Sequence, residues 1–406
     1  MAAATMVSLA VGAAVIAAQT RATPPHATPK SPAAPAKPNA QRPPPSTPTD
    51  GAFDTQARRA IIIEADTGAV LFDKFGKERM PPASMSKIMT AYVVFGMLKQ
   101  GKVQLSDELP VSEKAWKLGG SKMFVGVGGR ISVDNLLKGM LIQSGNDACI
   151  VLAEGLAGSE AAFVDLMNQK ASEIGLKNSH FANVTGLPDP DHWMTAQDLA
   201  TLAMRTIADF PEYYHYFSEK DFQFNNIEQA NRNPLLFLNI GADGLKTGHT
   251  DESGYSLTAS VVRGDRRVIL VVGGLPSMKD RASESERLVE WAFREFNDYK
   301  LFRAGDKVDD AEVWLGSEPK VAMTVASDLV VTLPRRSRRD MKVSVDYDGP
   351  IPAPIKQGQQ IGKVVVTAPD IEPIERPLFA AADVRPIGTF GRMATLAAYL
   401  IWGARH

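Results

Sequence analysis

The 406 residues carry 45 basic and 46 acidic side chains, for a net charge of −1, and 44% of them are hydrophobic. That balance offers no field for nucleic acid, and it leaves enough apolar material for one large core and a second, small domain. One cysteine, Cys149, excludes an internal disulfide framework and a cysteine-based metal site, and the six histidines show no ligand spacing, so no metal or other cofactor is expected.

In chain order, Met6–Ala18 is a small-residue apolar run with the length of a signal-peptide core, too short to cross a bilayer. No Lys or Arg precedes it, the first being Arg21, which keeps an uncleaved anchor open beside cleavage. Residues 1–22 are read as a signal peptide. The following residues 23–51 hold ten of the 27 prolines among Ala, Ser and Thr, a composition that cannot bury a core and reads as a disordered linker.

Arg59–Phe72 reads as two strands around an Asp66-Thr67-Gly68 turn, leading to Pro82-Ala83-Ser84-Met85-Ser86-Lys87. Pro82 favours a helix start, and Ile88, Ala91, Tyr92, Phe95, Met97 and Leu98 are spaced as one buried helical face. Ser84 then falls in the first turn, with Lys87 three residues on and on the same side. A serine needs a base to become a nucleophile, and a desolvated lysine can be neutral enough to serve. For a lone Ser-x-x-Lys, a capping serine followed by a solvated lysine is the default reading.

The glycine-rich stretch Ala115–Lys122 reads as a loop rimming a cleft. Ser144-Gly145-Asn146 lies on a tight turn between two amphipathic helices, and Cys149 falls on the apolar side of the second, where packing accounts for it. Thr195 is a candidate N-cap. Lys246-Thr247-Gly248 follows the turn-rich Gly241–Gly244 and opens a β-like run, Tyr255–Val261. A cation, a hydroxyl and a position without a side chain at a strand edge can hold an extended peptide and its carboxylate. Helices dominate from 84 to about 206, strands return at 254–274, and Glu284–Phe296 reads as an amphipathic helix.

Past Tyr299 the chain breaks into short β-prone runs at 311–315, 321–324, 329–333, 341–345, 361–366 and 375–379, the signature of a small all-β domain. Pro334–Arg339 is a basic turn, either a solvated hairpin tip or a phosphate-binding site. The apolar tail Gly388–Trp402, bracketed by Arg392 and Arg405, is too short to span a membrane and suits an in-plane amphipathic anchor.

Ser-x-x-Lys, Ser-x-Asn and Lys-Thr-Gly in this order form the signature of active-site-serine penicillin-recognising enzymes. The contexts at 82–90, 142–149, 231–236 and 243–250 resemble low-molecular-mass penicillin-binding proteins of the D-alanyl-D-alanine carboxypeptidase family, and the likeness covers nearly everything after residue 52. It implies an α+β, transpeptidase-like domain at 52–298, an antiparallel sheet with helices. A small all-β domain at 299–384 and an amphipathic tail at 385–406 would follow. It also implies catalytic roles for Ser84, Lys87 and Ser144. Substrate contacts would come from Asn146, Lys246, Thr247, Gly248 and His249, whose N–H would join that of Ser84 as an oxyanion donor. Arg281 matches an arginine near the substrate carboxylate; a surface charge at a helix entry is the other reading.

The implied reaction removes the terminal D-Ala from peptidoglycan stem peptides ending in D-Ala-D-Ala, at the periplasmic face of the bacterial inner membrane, with β-lactams as covalent inhibitors and without nucleic acid. Glu228–Asn231 has the wrong spacing for the deacylating Glu-x-x-x-Asn of class A β-lactamases, so slow release of penicillin is expected. An endopeptidase on cross-links, a β-lactamase and a non-catalytic envelope scaffold stand as alternatives.

Overall fold

The computed structural model describes residues 53–388 and Gly391; the expected signal peptide, the proline-rich linker and nearly all of the expected anchoring tail lie outside the described residues. Strands β1 (Arg59–Glu64) and β2 (Val70–Lys74) form the hairpin read from the sequence, with Gly68 in the left-handed region at the turn. A 3-10 turn, Ala83–Ser86, carries the candidate nucleophile into α1 (Lys87–Lys99). That helix does not have the single buried face its spacing suggests. Lys87 through Phe95 are all buried, because α1 is the central rod of the helical layer and is wrapped on every side.

The layer continues through β3 (Glu108–Pro110), α2 (Glu113–Lys117), β4 (Arg130–Ser132), α3 (Val133–Leu141), α4 (Asn146–Ala157), α5 (Glu160–Glu173) and α6 (Ala196–Asp209). Thr195 caps α6 by accepting from the Asp198 N–H at 3.0 Å. A short hairpin, β5 (Asp221–Phe224) and β6 (Ile227–Ala230), follows. The chain then forms β7 (Ala242–Thr250), β8 (Gly254–Arg263), β9 (Arg266–Leu275) and α7 (Met278–Glu295). Gly241–Gly244 is thus not a turn before the Lys-Thr-Gly run: the motif sits inside β7, and the run expected to continue it is the neighbouring strand, β8. The last helix begins six residues before its expected start, at the Ser277 cap.

The five-stranded sheet has the order β2-β1-β9-β8-β7, antiparallel throughout, and joins both ends of the domain. Ile61, Ile63, Ile269 and Val271 point into the helical core. Their alternates Ile62, Leu270 and Val272 are equally buried on the opposite side, where α7 packs on β8 and β9. Burial on both faces explains why these strands read as continuous apolar runs.

After α7 come β10 (Phe296–Phe302), β11 (Lys307–Trp314), β12 (Lys320–Thr324), β13 (Leu329–Pro334), β14 (Lys342–Asp346), β15 (Ile351–Pro352), β16 (Gln360–Thr367) and β17 (Ile374–Ala380). They form a β10-β13 pair and a six-stranded sheet around Val321, Met323, Val331, Leu333, Val364 and Leu378. The basic segment after β13 is a 3-10 turn, Arg335–Asp340, not a hairpin tip. Arg335 donates to the Phe293 carbonyl at 3.4 Å, Arg336 pairs with Asp370 at 3.0 Å and Arg338 lies 5.0 Å from the centre of the Tyr299 ring, so three of its four arginines are already engaged.

One polar joint ties the all-β region to the main sheet. Arg266 donates to the buried Glu64 carboxylate at 2.6 Å and to the Phe296 carbonyl at 2.9 Å, while Thr67 and Thr332 meet at 2.6 Å and Thr332 donates to Asp298 at 2.7 Å. The second Glu64 oxygen is buried without a partner. Burial raises the Glu64 carboxyl to about 7, against the pull of Arg266 and helped by Asp298 and Asp66. A carboxyl raised above its unfolded value of 4.5 stabilises the fold fully below that value and loses the contribution as pH climbs through about 7. The thermal midpoint of the protein therefore falls between pH 5 and pH 8, and Glu64→Gln flattens that fall; a circular-dichroism melt across this range checks it.

Candidate active site

The turn that presents Ser84 is held from three directions. Ala83 adopts a left-handed φ of 48°, unusual for a residue with a side chain, and aims the following hydroxyl into the cleft. Gly248 on β7 passes so close that a Cβ there would lie 2.8 Å from the Pro82 carbonyl, and a Cβ on Gly186 would lie 1.9 Å from that of Ala83. The absence of side chains at these two positions lets strand and loop clamp the turn. Ser84 itself stays partly exposed, as a nucleophile must.

Lys87, fully buried, reaches back along α1 and places Nζ 2.8 Å from Ser84 Oγ, 2.8 Å from Asn146 Oδ1 and 2.5 Å from the Thr185 carbonyl. Desolvation lowers its pKa to about 8, with Cys149 and Asp147 opposing the shift and Arg232 adding to it. In the neutral amine, Asn146 and Thr185 accept the two remaining N–H groups, which leaves the lone pair facing the Ser84 hydroxyl. The triple set of contacts is therefore an arrangement for withdrawing a proton from Ser84.

Ser144 and Asn146 sit where α3 gives way to α4. Ser144 is buried with φ of 63°, and its hydroxyl is not among the groups that hold Lys87. Asn146 donates from Nδ2 to the Gly119 carbonyl at 3.0 Å, and its backbone N–H donates to the Ser121 carbonyl at 2.7 Å. The glycine-rich segment is thus a wall of the cleft, after one short helical turn in α2. Its anchor is Asp147, whose buried carboxylate accepts from the N–H groups of Met123, Phe124 and Val125 at 3.0, 2.9 and 3.2 Å.

The facing wall is β7, the edge strand. Lys246 and Thr247 are buried, and Lys246 donates to the Thr247 carbonyl at 3.2 Å. Desolvation holds the Lys246 ammonium well below the ordinary lysine range, and Lys87 and Arg232 push the same way. His249 is exposed and stacks on Tyr255 at 4.0 Å. Arg281, in the first turns of α7, is buried and not a surface charge; its guanidinium lies 5.9 Å from the Tyr255 ring centre, donates to the Arg232 carbonyl at 3.2 Å and leaves Nε unpartnered.

The three motifs therefore converge on one cleft. The sequence reading missed Asp147, Thr185 and Arg232, the last crossing the cleft mouth to donate to Ser121 Oγ at 2.7 Å. An acid in the first turn of a helix directly after Ser-Gly-Asn was a usable signal for Asp147; the Thr185 carbonyl had none, since a backbone acceptor leaves no mark on the sequence. Glu228 is exposed on β6. Among the described residues, no group of three His, Cys, Asp or Glu side chains could hold a metal ion.

A serine hydroxyl bound by a desolvated lysine, opposite a Lys-Thr-Gly edge strand of an α+β domain, defines an active-site-serine enzyme of the penicillin-recognising class. A profile described as D-alanyl-D-alanine carboxypeptidase matches residues 44–277, and one described as the C-terminal domain of penicillin-binding protein 5 matches residues 296–386. The chain belongs to the D-alanyl-D-alanine carboxypeptidase family. It is 40% identical over 347 residues to D-alanyl-D-alanine carboxypeptidase DacC of Escherichia coli, covering 83% of this chain and 86% of that one. The crystal structure of penicillin-binding protein 5 from Haemophilus influenzae is 37% identical, with a TM-score of 0.76 over 82% of this chain and 99% of that one. Penicillin-binding protein D2 of Listeria monocytogenes in its ampicillin-bound form is 29% identical, with a TM-score of 0.55 over 60% of this chain and 99% of that one.

Asp147→Asn replaces a carboxylate that accepts several N–H groups with an amide whose NH2 faces them. The variant is expected to lose about 1.5–3 kcal/mol of stability, the range for hydrogen bonds to a charged group. Its urea midpoint falls, and trypsin cuts faster after Lys122.

Proposed function

We propose that the chain removes the terminal D-alanine from peptidoglycan stem peptides ending in D-Ala-D-Ala through an acyl-enzyme on Ser84. The observation that carries this reading is the 2.8 Å contact between a fully buried Lys87 and Ser84. Lys87 Nζ takes the Ser84 proton as Oγ attacks the carbonyl of the penultimate D-alanine, and the N–H groups of Ser84 and His249 receive the oxyanion. The C–N bond then breaks, D-alanine leaves with a proton relayed through Ser144, and water cleaves the ester.

Asn146 has one Nδ2 hydrogen on Gly119 and offers the other to a substrate amide. Thr247, Lys246 and Arg281 hold the terminal carboxylate, and Gly248 lets the peptide backbone approach β7. β-Lactams acylate the same hydroxyl, a reading supported by the ampicillin-bound relative. Among the described residues no carboxylate hydrogen-bonds Lys87 to activate a deacylating water, since Asp147 is committed to backbone amides, which favours a long-lived adduct. We place the enzyme at the periplasmic face of the inner membrane, with residues 1–22 as export signal, 52–298 as catalytic domain, 299–384 as accessory β domain and 385–406 as anchor.

Mass spectrometry after incubation with penicillin finds one adduct, on the peptide containing Ser84, and Ser84→Ala gains none and releases no D-alanine. An adduct on another residue would overturn the assignment. The base must be neutral, so kcat/KM rises as pH climbs through about 8, the value to which burial lowers Lys87. A pH–rate profile for D-alanine release checks that limb.

A further inference from the structure

Lys87 has three acceptors, and two of them are side chains of the motifs, Ser84 and Asn146. The third, the Thr185 carbonyl at 2.5 Å, is backbone, and its direction has to be fixed by something else. A peptide unit is planar and trans, so the Thr185 carbonyl and the Gly186 N–H point opposite ways from one rigid plate. That N–H donates to Asn183 Oδ1 at 2.8 Å. The plate is therefore gripped at both ends, by Asn183 on one side and by the general base on the other.

Asn183 spends its polar groups inside this turn. Oδ1 also accepts from the Thr185 N–H at 3.1 Å and from the Thr185 hydroxyl at 2.9 Å, and Nδ2 donates to the Leu187 carbonyl at 3.0 Å. The helices hold the residue before the plate: Thr90 Oγ1 on α1 donates to the Val184 carbonyl at 2.9 Å, and the Val184 N–H donates to Glu160 Oε1 on α5 at 3.3 Å. Neither contact sets the rotation of the 185–186 peptide. Gly186 cannot set it either, because a residue without a side chain, here at φ of 80°, tolerates a rotated peptide. A stiffer residue is excluded at that position, where a Cβ would lie 1.9 Å from the Ala83 carbonyl.

We propose that Asn183 is a positioning residue for the acylation step: it keeps the Thr185 carbonyl aimed at Lys87 and so keeps the amine lone pair on the Ser84 hydroxyl. The proposal rests on the acyl-enzyme reading and adds to it a residue whose hydrogen bonds all lie within the 183–187 turn. Without that acceptor the plate rotates, the neutral amine keeps only Asn146 for its N–H groups, and its lone pair loses a fixed direction.

Stopped-flow acylation by penicillin tests this, with active sites counted by the adduct on Ser84, so that the rate constant at saturation and the dissociation constant of the non-covalent complex are read separately. In Asn183→Ala the rate constant per site falls by about 100-fold, the scale of a small misplacement of a reacting group, and the dissociation constant stays within about two-fold. Asn183→Asp, which keeps an oxygen for the same N–H groups, recovers the rate constant to within about five-fold of wild type when measured above the Lys87 titration. Should the alanine variant not fold, Asn183→Ser serves in its place: a serine hydroxyl holds such turns more weakly, and the rate constant falls by about ten-fold. A wild-type rate constant per site with fewer active sites would make Asn183 a stabilising residue only and overturn the proposal. Weakening of the non-covalent complex in proportion to the rate, or an aspartate variant as slow as alanine, would overturn it too. A wild type that forms no adduct on Ser84 would instead overturn the functional reading and this one with it.

Discussion

The site depends on removing one ammonium from water without giving it a counter-ion. Lys87 is wholly enclosed, and its acceptors are a hydroxyl, a carboxamide and a carbonyl, none of them charged. Lowering a lysine from 10.5 to about 8 corresponds to a cost on the order of 3 kcal/mol for its charged form. The nearest acid, Asp147, could have cancelled that cost, but its oxygens already serve the amides of the loop. The protein thus keeps a negative charge near enough to soften the penalty and too occupied to form an ion pair that would lock the lysine in its protonated state. A base poised in this way requires rigid surroundings, because a shift that admitted water or the carboxylate would restore the ordinary pKa.

Rigidity comes from regular structure meeting strained turns. The nucleophile turn and the Ser144 turn each contain a non-glycine residue in the left-handed region, a conformation that persists only where neighbours over-determine it. The neighbours are a helix buried on all sides and an edge strand whose glycine touches the turn backbone. Neither α1 nor β7 can shift without disturbing the core, so Ser84, Lys87 and Lys246 inherit their positions from elements fixed by packing and need not be ordered afresh by substrate.

Much of this was legible in the sequence, for identifiable reasons. The β1-β2 hairpin announced itself through an apolar run and an Asp-Thr-Gly turn, and the three motifs through residue types that chemistry requires at short spacing. What failed to show were the long-range relations. Periodicity assigned α1 one buried face because an apolar helix with scattered polar residues looks amphipathic; Lys87 and Thr90 are polar yet buried, since each donates to a carbonyl of the 184–185 segment. The hairpin at 221–230 was overlooked although Asn225-Asn226, at φ of 49° and 61°, is the left-handed pair that a two-residue turn demands between alternating Phe222 and Phe224. The surface-charge alternative for Arg281 stayed open because sequence shows the helix it belongs to and not the wall that covers it.

The placement of Lys-Thr-Gly on an edge strand has a consequence of its own. An open edge offers unpaired N–H and C=O groups to any extended chain and is ordinarily shielded by charge, a bulge or a short length. Here β7 runs for nine residues, Gly244 through Gly248 are buried, and the helical turn of Ser84 packs against it. That cover protects the edge: the turn of Ser84 packs against the strand and limits its approach by another chain. Lys246, Thr247 and Gly248 thus occupy consecutive positions on one edge strand, and the glycine among them is where that strand meets the turn of the serine.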